Sequence, residues 1–394
     1  MGNDDFDARL GALRDGQERL LARRNEAVAP GNGIYSRWRY PVITPGHVPL
    51  HWRYDLDPAD NPFLMERIGV NATFNAGAIL HRERFTLVVR VEGVDRKSWF
   101  AVAESESGTD GFRFRPRPIA MPELDSPDTN IYDMRLTEHE DGYIYGLFCT
   151  ERKDESNPGD TSAAIAACGI ARTTDLDHWE RLPDLVTNSA QQRNCVLHPE
   201  FVDGRYAIYT RPQDGFVGVG NGGGIGWGLT DSMENAVVAD ETIVDPKVYH
   251  TVSELKNGQG PAPLRTDEGW LHLAHGVRET AAGLRYVLYM FMTDRDEPWK
   301  VTRRPAGHLI APRGAERVGD VSNVVFSGGW IRDTGGTVYI YYASSDTRLH
   351  VATTSVDRLL DYCRKTPADS RRSAGSVAAV NALIDKNASC KRGQ

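Results

Sequence analysis

Along most of the chain, apolar and polar positions alternate in short runs, and the runs recur as one unit. Five times a polar turn leads into an aromatic-rich alternating stretch: "HRERFTLVVRVEG" (81–93), "EDGYIYGLFC" (140–149), "VDGRYAIYTRP" (202–212), "DEGWLHLAHG" (267–276) and "TGGTVYIYYASSD" (334–346). A second short strand follows each, such as "SWFAVAES" or "YVLYMFMTDRD", and most of these close on a Ser/Thr/Asp turn. A period of two is the signature of a strand. The aromatic positions Phe85, Tyr143, Tyr206, Trp270 and Tyr339 lie 58 to 69 residues apart. Short strands repeating at that interval predict an all-β fold, a five-bladed β-propeller, over a β-sandwich.

The period changes at both ends. Leu10, Leu13, Leu20 and Leu21 recur near helical spacing, which predicts a helix over 6–27, and the chain turns helical again after about residue 355. The expected organisation is an N-terminal helical and extended segment (1–60) packed on the propeller (61–355), followed by a C-terminal helical extension (356–394). Both helical ends are amphipathic enough to serve contacts between copies, so a homo-oligomer is expected.

Composition narrows the partners. A formal net charge of −8 argues against nucleic acid or an anionic membrane as the partner, so an anionic ligand would need a locally basic pocket. The five cysteines are scattered, without C-x-x-C spacing, which fits reduced thiols and a cytoplasmic location. The charged N-terminus has no apolar core of a signal peptide, and no apolar run approaches the ~18 residues of a membrane span.

In a propeller the innermost strands line a central channel, so residues distant in sequence converge. The segments before the five aromatic strands offer Asn75, Asp133, Arg193, Asn194, Lys256 and Asn323; the strands add Arg90, Arg211, His275 and Asp346. Several cations at equivalent blade positions in an acidic protein point to a bound anion, since arginine grips phosphate or carboxylate with two bonds and lysine adds a point charge. Inverting glycoside cleavage needs an acid on the leaving oxygen and a nucleophile on the opposite face. A hydrolase requires a second carboxylate to activate water; a phosphorylase brings phosphate, already an anion. One well-placed aspartate, Asp133, among several cations favours phosphorolysis, with Glu92, Glu200, Asp320 and Asp346 open as second carboxylates.

Other signals carry less. The glycine-rich "GVGNGGGIGWG" (218–228) lacks the Lys-Ser/Thr of a P-loop and reads as a bend into an outer strand. The 11 histidines show no metal-binding spacing, so neither a metal nor another cofactor is expected.

"RIGVNATFNAGAI", "TNIYDMRLT", "RNCVLHPEFVDGRYAIYTRP" and "YYASSD" resemble glycoside hydrolase family 130, the inverting β-mannoside phosphorylases. The long N-terminal segment 33–75 and the C-terminal segment 359–387 are similar to the branch of that family acting on 4-O-β-D-mannosyl-D-glucose. The resemblance implies a five-bladed propeller and a reversible reaction in which phosphate, the co-substrate, releases α-D-mannose 1-phosphate and glucose. It implies Asp133 as general acid, reaching the glycosidic oxygen through the mannose 3-hydroxyl, with Tyr132 beside it. By the same resemblance Asn75, Arg90 and Asp346 hold the mannosyl unit, while Arg193, Asn194, Arg211, Lys256 and His275 surround phosphate. Ala76 stands where many relatives carry serine. Other acceptors (β-1,4-mannooligosaccharides or a mannosyl-N-acetylglucosamine), an inverting β-mannosidase, and a non-catalytic sugar-binding propeller are the alternatives.

Overall fold

Strand pairing in the computed structural model, which describes residues 3–216, 218–220 and 222–391, gives five antiparallel sheets of four or more strands, the blades of a five-bladed propeller, beside two small two-stranded sheets. The first runs outward through Val70–His81, Arg84–Gly93, Ser98–Ser105 and Arg113–Phe114. The second uses Asn130–Glu138, Ile144–Lys153, Ala164–Thr173 and Glu180–Leu182, and the third Val196–Leu197, Tyr206–Thr210, Ile225–Thr230 and Thr242–Asp245. The fourth comprises Lys256–Gln259, Gly269–Thr280, Gly283–Thr293 and Val301–Arg303. The fifth begins with Val325–Arg332, Thr337–Ser344 and Arg348–Ser355, and its outer strands, Ser36–Trp38 and Ala27–Val28, come from the N-terminal segment.

The aromatic stretches are the second strand of each blade, and their residues fill the spaces between blades. Phe74, Leu87, Tyr341 and Val351 join blades five and one. Phe100, Met134 and Phe148 join one and two, and Tyr145, Leu197 and Ile208 join two and three. Tyr209, Trp227 and Phe291 join three and four, while Met290, Trp330 and Tyr342 join four and five. Each sheet is thus covered on both faces, which is why alternation blurs into continuous apolar runs at the blade centres. Near the axis the inner strands approach closely: a Cβ on Gly77 would lie 2.8 Å from the Met134 carbonyl oxygen.

The N-terminal helix spans Asn3–Leu21 and packs Phe6 and Leu10 against Leu64. It stops short of the expected residue 27 because tertiary pairing overrides helix propensity. Asn25 donates to the Tyr40 and Thr109 carbonyls, and Ala27 and Val28 pair with Trp38 and Arg37. At the other end Ser355 caps Val356–Lys365 by accepting from the Arg358 amide, and that helix buries Leu359, Leu360 and Cys363. The last helix, Ser373–Lys391, carries Val377, Val380, Leu383 and Ile384 exposed. No helix among the described residues is long and apolar enough to cross a membrane. The glycine-rich stretch leads into Ile225–Thr230, with Gly223 and Gly224 at positive φ, though Val217 and Asn221 lie outside the described residues.

Candidate active site

The innermost strands of blades one, two and five carry the same irregularity. Register slips by one residue between Phe74 and Gly77, between Tyr132 and Arg135, and between Phe326 and Gly329. A bulge of this kind re-aims a side chain that would otherwise follow the pleat. Asn75 and Asp133 are the first residues past the aromatic in two of these bulges, with φ of 46° and 60°. Asn194, just before the inner strand of blade three, and Asp346, in the turn after the second strand of blade five, also have positive φ, 54° and 48°. Asparagine and aspartate tolerate this left-handed region better than other side chains with a Cβ. Backbone strain gathered at four polar residues marks a site held in place by the surrounding sheets.

All ten site residues expected from the sequence line one cavity of about 290 Å³. Asn323, also offered by the sequence, does not line it; its main chain instead bonds to Arg317 and Tyr286. Asp133 Oδ1 accepts from Asn75 Nδ2 at 2.9 Å and from Arg90 Nη1 at 3.1 Å. Oδ2 has no protein hydrogen bond among the described residues. Arg90 is clamped in turn by Glu92 at 2.6 Å and by Ser98, and it lies over the rings of Phe74 and Tyr132. Burial holds the Tyr132 phenol well above its ordinary range, so it is a neutral donor.

The same cavity holds buried polar atoms without partners. Arg193 Nε and Nη2, Arg211 Nε and both ring nitrogens of His275 are buried without a hydrogen-bond partner. Burial, and then the charge of Arg193, bring Arg211 down to about 10. Burial followed by Arg211 and Arg193 brings Lys256 down to about 8. His275 is pushed well below its ordinary value by burial and by Arg211, so it is a neutral imidazole offering a ring N–H rather than a further cation. Unpaired buried donors and mutually repelling cations are costly, and a polyanion bound among them removes both costs. Gly258 makes room for the cluster: a Cβ there would sit 2.5 Å from the His275 ring and 3.0 Å from the Arg211 side chain. Among the described residues no group of three or more His, Cys, Asp or Glu side chains could hold a metal.

The open carboxylates separate by position. Glu92 is paired with Arg90, and Glu200 pairs with Arg265 around a different cavity, which the far ends of the inner strands also line. Asp346 shares the cavity with Asp133, and burial, then the Asp133 charge, push its carboxyl up to about 7.

The sequence profile of a family described as beta-1,4-mannooligosaccharide phosphorylase matches residues 56–365. The chain belongs to glycoside hydrolase family 130. It is 60% identical over 383 residues to 4-O-beta-D-mannosyl-D-glucose phosphorylase of Bacteroides fragilis, covering 97% of this chain and 98% of the relative. It is 36% identical to beta-1,4-mannooligosaccharide phosphorylase of Ruminococcus albus over 175 residues, 44% of this chain and 50% of that one. Beta-1,2-mannobiose phosphorylase from Listeria innocua shares the fold, with a TM-score of 0.66 at 18% identity over 87% of this chain and 99% of its own.

Two residues of this family 130 site were not among the expected site residues, although the sequence sets Arg135 close to Asp133 without showing which way its side chain points. Arg135, 1% exposed, donates to the main-chain oxygen of Asp133 at 2.6 Å and to Asn194 Oδ1 at 2.7 Å. It therefore braces two strained residues on neighbouring blades, and its guanidinium bonds the Asp133 main chain rather than the carboxylate. Tyr286, on the third strand of blade four, lines the cavity with its ring 5.5 Å from Lys256 Nζ. Nothing in the local sequence marks it, because it reaches the axis only through the length of that strand.

Proposed function

We propose that the chain catalyses the reversible, inverting phosphorolysis of 4-O-β-D-mannosyl-D-glucose to α-D-mannose 1-phosphate and D-glucose. The observation that carries the chemistry is the set of buried, unpartnered donors of Arg193, Arg211 and His275 facing the cavity that holds Asp133. The 60% identity over nearly the whole of both chains supports the choice of disaccharide. Phosphate sits among those donors with Asn194 and Lys256. The mannosyl unit lies against Asn75, Arg90, Tyr132 and Asp346. A phosphate oxygen bonds to the anomeric carbon as the bond to glucose O4 breaks, and the proton for O4 comes from Asp133 by way of the mannose 3-hydroxyl. The cage holds the nucleophile in line and offsets its charge, so no carboxylate base is required.

Asp346 is a second carboxylate in the same cavity, which keeps an inverting β-mannosidase as the second reading. One experiment separates them. Purified protein is incubated with the disaccharide, with and without phosphate, and products are followed by proton NMR. Phosphate-dependent α-mannose 1-phosphate is expected. Free mannose formed without phosphate overturns phosphorolysis, and turnover only with a mannooligosaccharide or mannosyl-N-acetylglucosamine overturns the acceptor.

A further inference from the structure

Next to the inner cavity lies a wider one of about 830 Å³ that shares Arg90, Tyr132 and Arg193 with it. One wall is the connection between the second and third strands of blade two, where Thr161 to Ala164 face the space. That connection, residues 154–163, is polar, with glycine, proline, serine, asparagine or aspartate at seven of its ten positions, and has no sheet partner of its own. Its shape is held from inside. The ammonium of Lys153, the last residue of its strand, lies 3.0 Å from the carbonyl oxygen of Asp154, 3.0 Å from that of Asn157, 2.8 Å from that of Asp160 and 3.1 Å from that of Ala163. The two aspartates do not pair with it directly; each spends Oδ1 on a serine two residues on, Ser156 and Ser162. The loop closes on itself, with the Asp154 amide donating to the Ala163 carbonyl at 3.1 Å.

Four carbonyl dipoles converging on one point repel one another unless a cation sits there. An ammonium is compact and carries three donors, and here it plays the part a bare alkali ion plays in a ring of carbonyls. We propose that Lys153 is a positioning residue: a built-in cation that shapes loop 154–163 and so forms the wall against which the leaving sugar, glucose, is bound. This rests on the phosphorolysis reading above for the identity of the sugar. The cage's ligands are main-chain oxygens, so all four remain in a chain that lacks the Lys153 side chain, though they no longer converge. A small monovalent cation that fits it then restores the wall.

The test is Lys153→Ala, assayed in the synthetic direction with glucose and α-mannose 1-phosphate. The KM for glucose is expected to rise about tenfold or more, the worth of one to two charge-assisted hydrogen bonds, with the KM for mannose 1-phosphate little changed. Methylammonium chloride should restore glucose binding in the variant and leave the parent protein unaffected, whereas tetramethylammonium chloride, too large for the cage, should not. Hydrogen exchange at amides 154–163 should quicken in the variant and slow again with methylammonium. An unchanged glucose KM, a parallel loss for both substrates, or no response to methylammonium overturns the proposal. If the parent protein forms no disaccharide from glucose and mannose 1-phosphate, the phosphorolysis reading falls, and the exchange data alone decide whether the cage exists.

Discussion

Asn75 and Asp133 occupy the same bulge position on adjacent blades and are bonded to each other, Nδ2 to Oδ1 at 2.9 Å. The bond ties blade one to blade two at the channel wall. With Arg90 on the same oxygen, it aims the other carboxylate oxygen into the cavity. Each of the two residues has left-handed backbone.

Replacing Asp133 by Asn keeps the shape and the Asn75 contact but removes the transferable proton. General acid catalysis is worth about 10²- to 10⁴-fold, so kcat for phosphorolysis should fall by that order. Protection by phosphate against thermal unfolding should persist, because the cage is untouched. Assays of mannose 1-phosphate formation and thermal shifts on the same preparation check both.

Lys256 loses its proton above about pH 8, since burial, Arg211 and Arg193 all disfavour its charge. The KM for phosphate should therefore climb between pH 7 and pH 9. Lys256→Met should begin with a raised KM at pH 7 and lack the climb. Initial rates at saturating disaccharide across that range measure it.

Gly258→Ala puts a methyl group where the His275 ring and the Arg211 stem now lie. Both must move, and both face the phosphate region. The variant should raise the KM for phosphate by about tenfold, which corresponds to losing roughly one hydrogen bond to a charged group, while the KM for the disaccharide changes little.

Asp346 holds a proton in the folded protein up to about pH 7 that the unfolded chain releases near pH 4. Its contribution to stability is full below the unfolded value and is lost as pH rises towards 7. Asp346→Asn cannot suffer this loss. Without ligands, the variant should gain a few degrees in Tm over the parent at pH 8 and much less at pH 5, while losing activity at both.

The five blades were legible because their signal is periodic: the polar turns and the spacing of Phe85, Tyr143, Tyr206, Trp270 and Tyr339 recur whatever the detailed packing. Nine of the ten cavity residues were legible as a set because equivalent blade positions converge, whereas Tyr132 came only with the family resemblance and Asn323 was wrongly included. The bracing role of Arg135 was not, since it depends on which way one side chain turns at a bulge. Tyr286 was hidden for a similar reason, being the start of a strand whose reach only the folded blade reveals. The N-terminal helix was read six residues too long, because charged residues with good helix propensity continue past Leu21 and only the pairing with Arg37 and Trp38 draws them away.

The fifth blade takes its fourth strand, Ser36–Trp38, from near the start of the chain and its inner three from beyond residue 324. At ribosomal speeds of about 5–20 residues per second, the early strand waits roughly tens of seconds for its partners to be made. Until then the ring is open and the cavity has no fifth wall. An incomplete chain therefore cannot start to consume sugar and phosphate while still on the ribosome; the last blade to be synthesised is also the one that switches the molecule on.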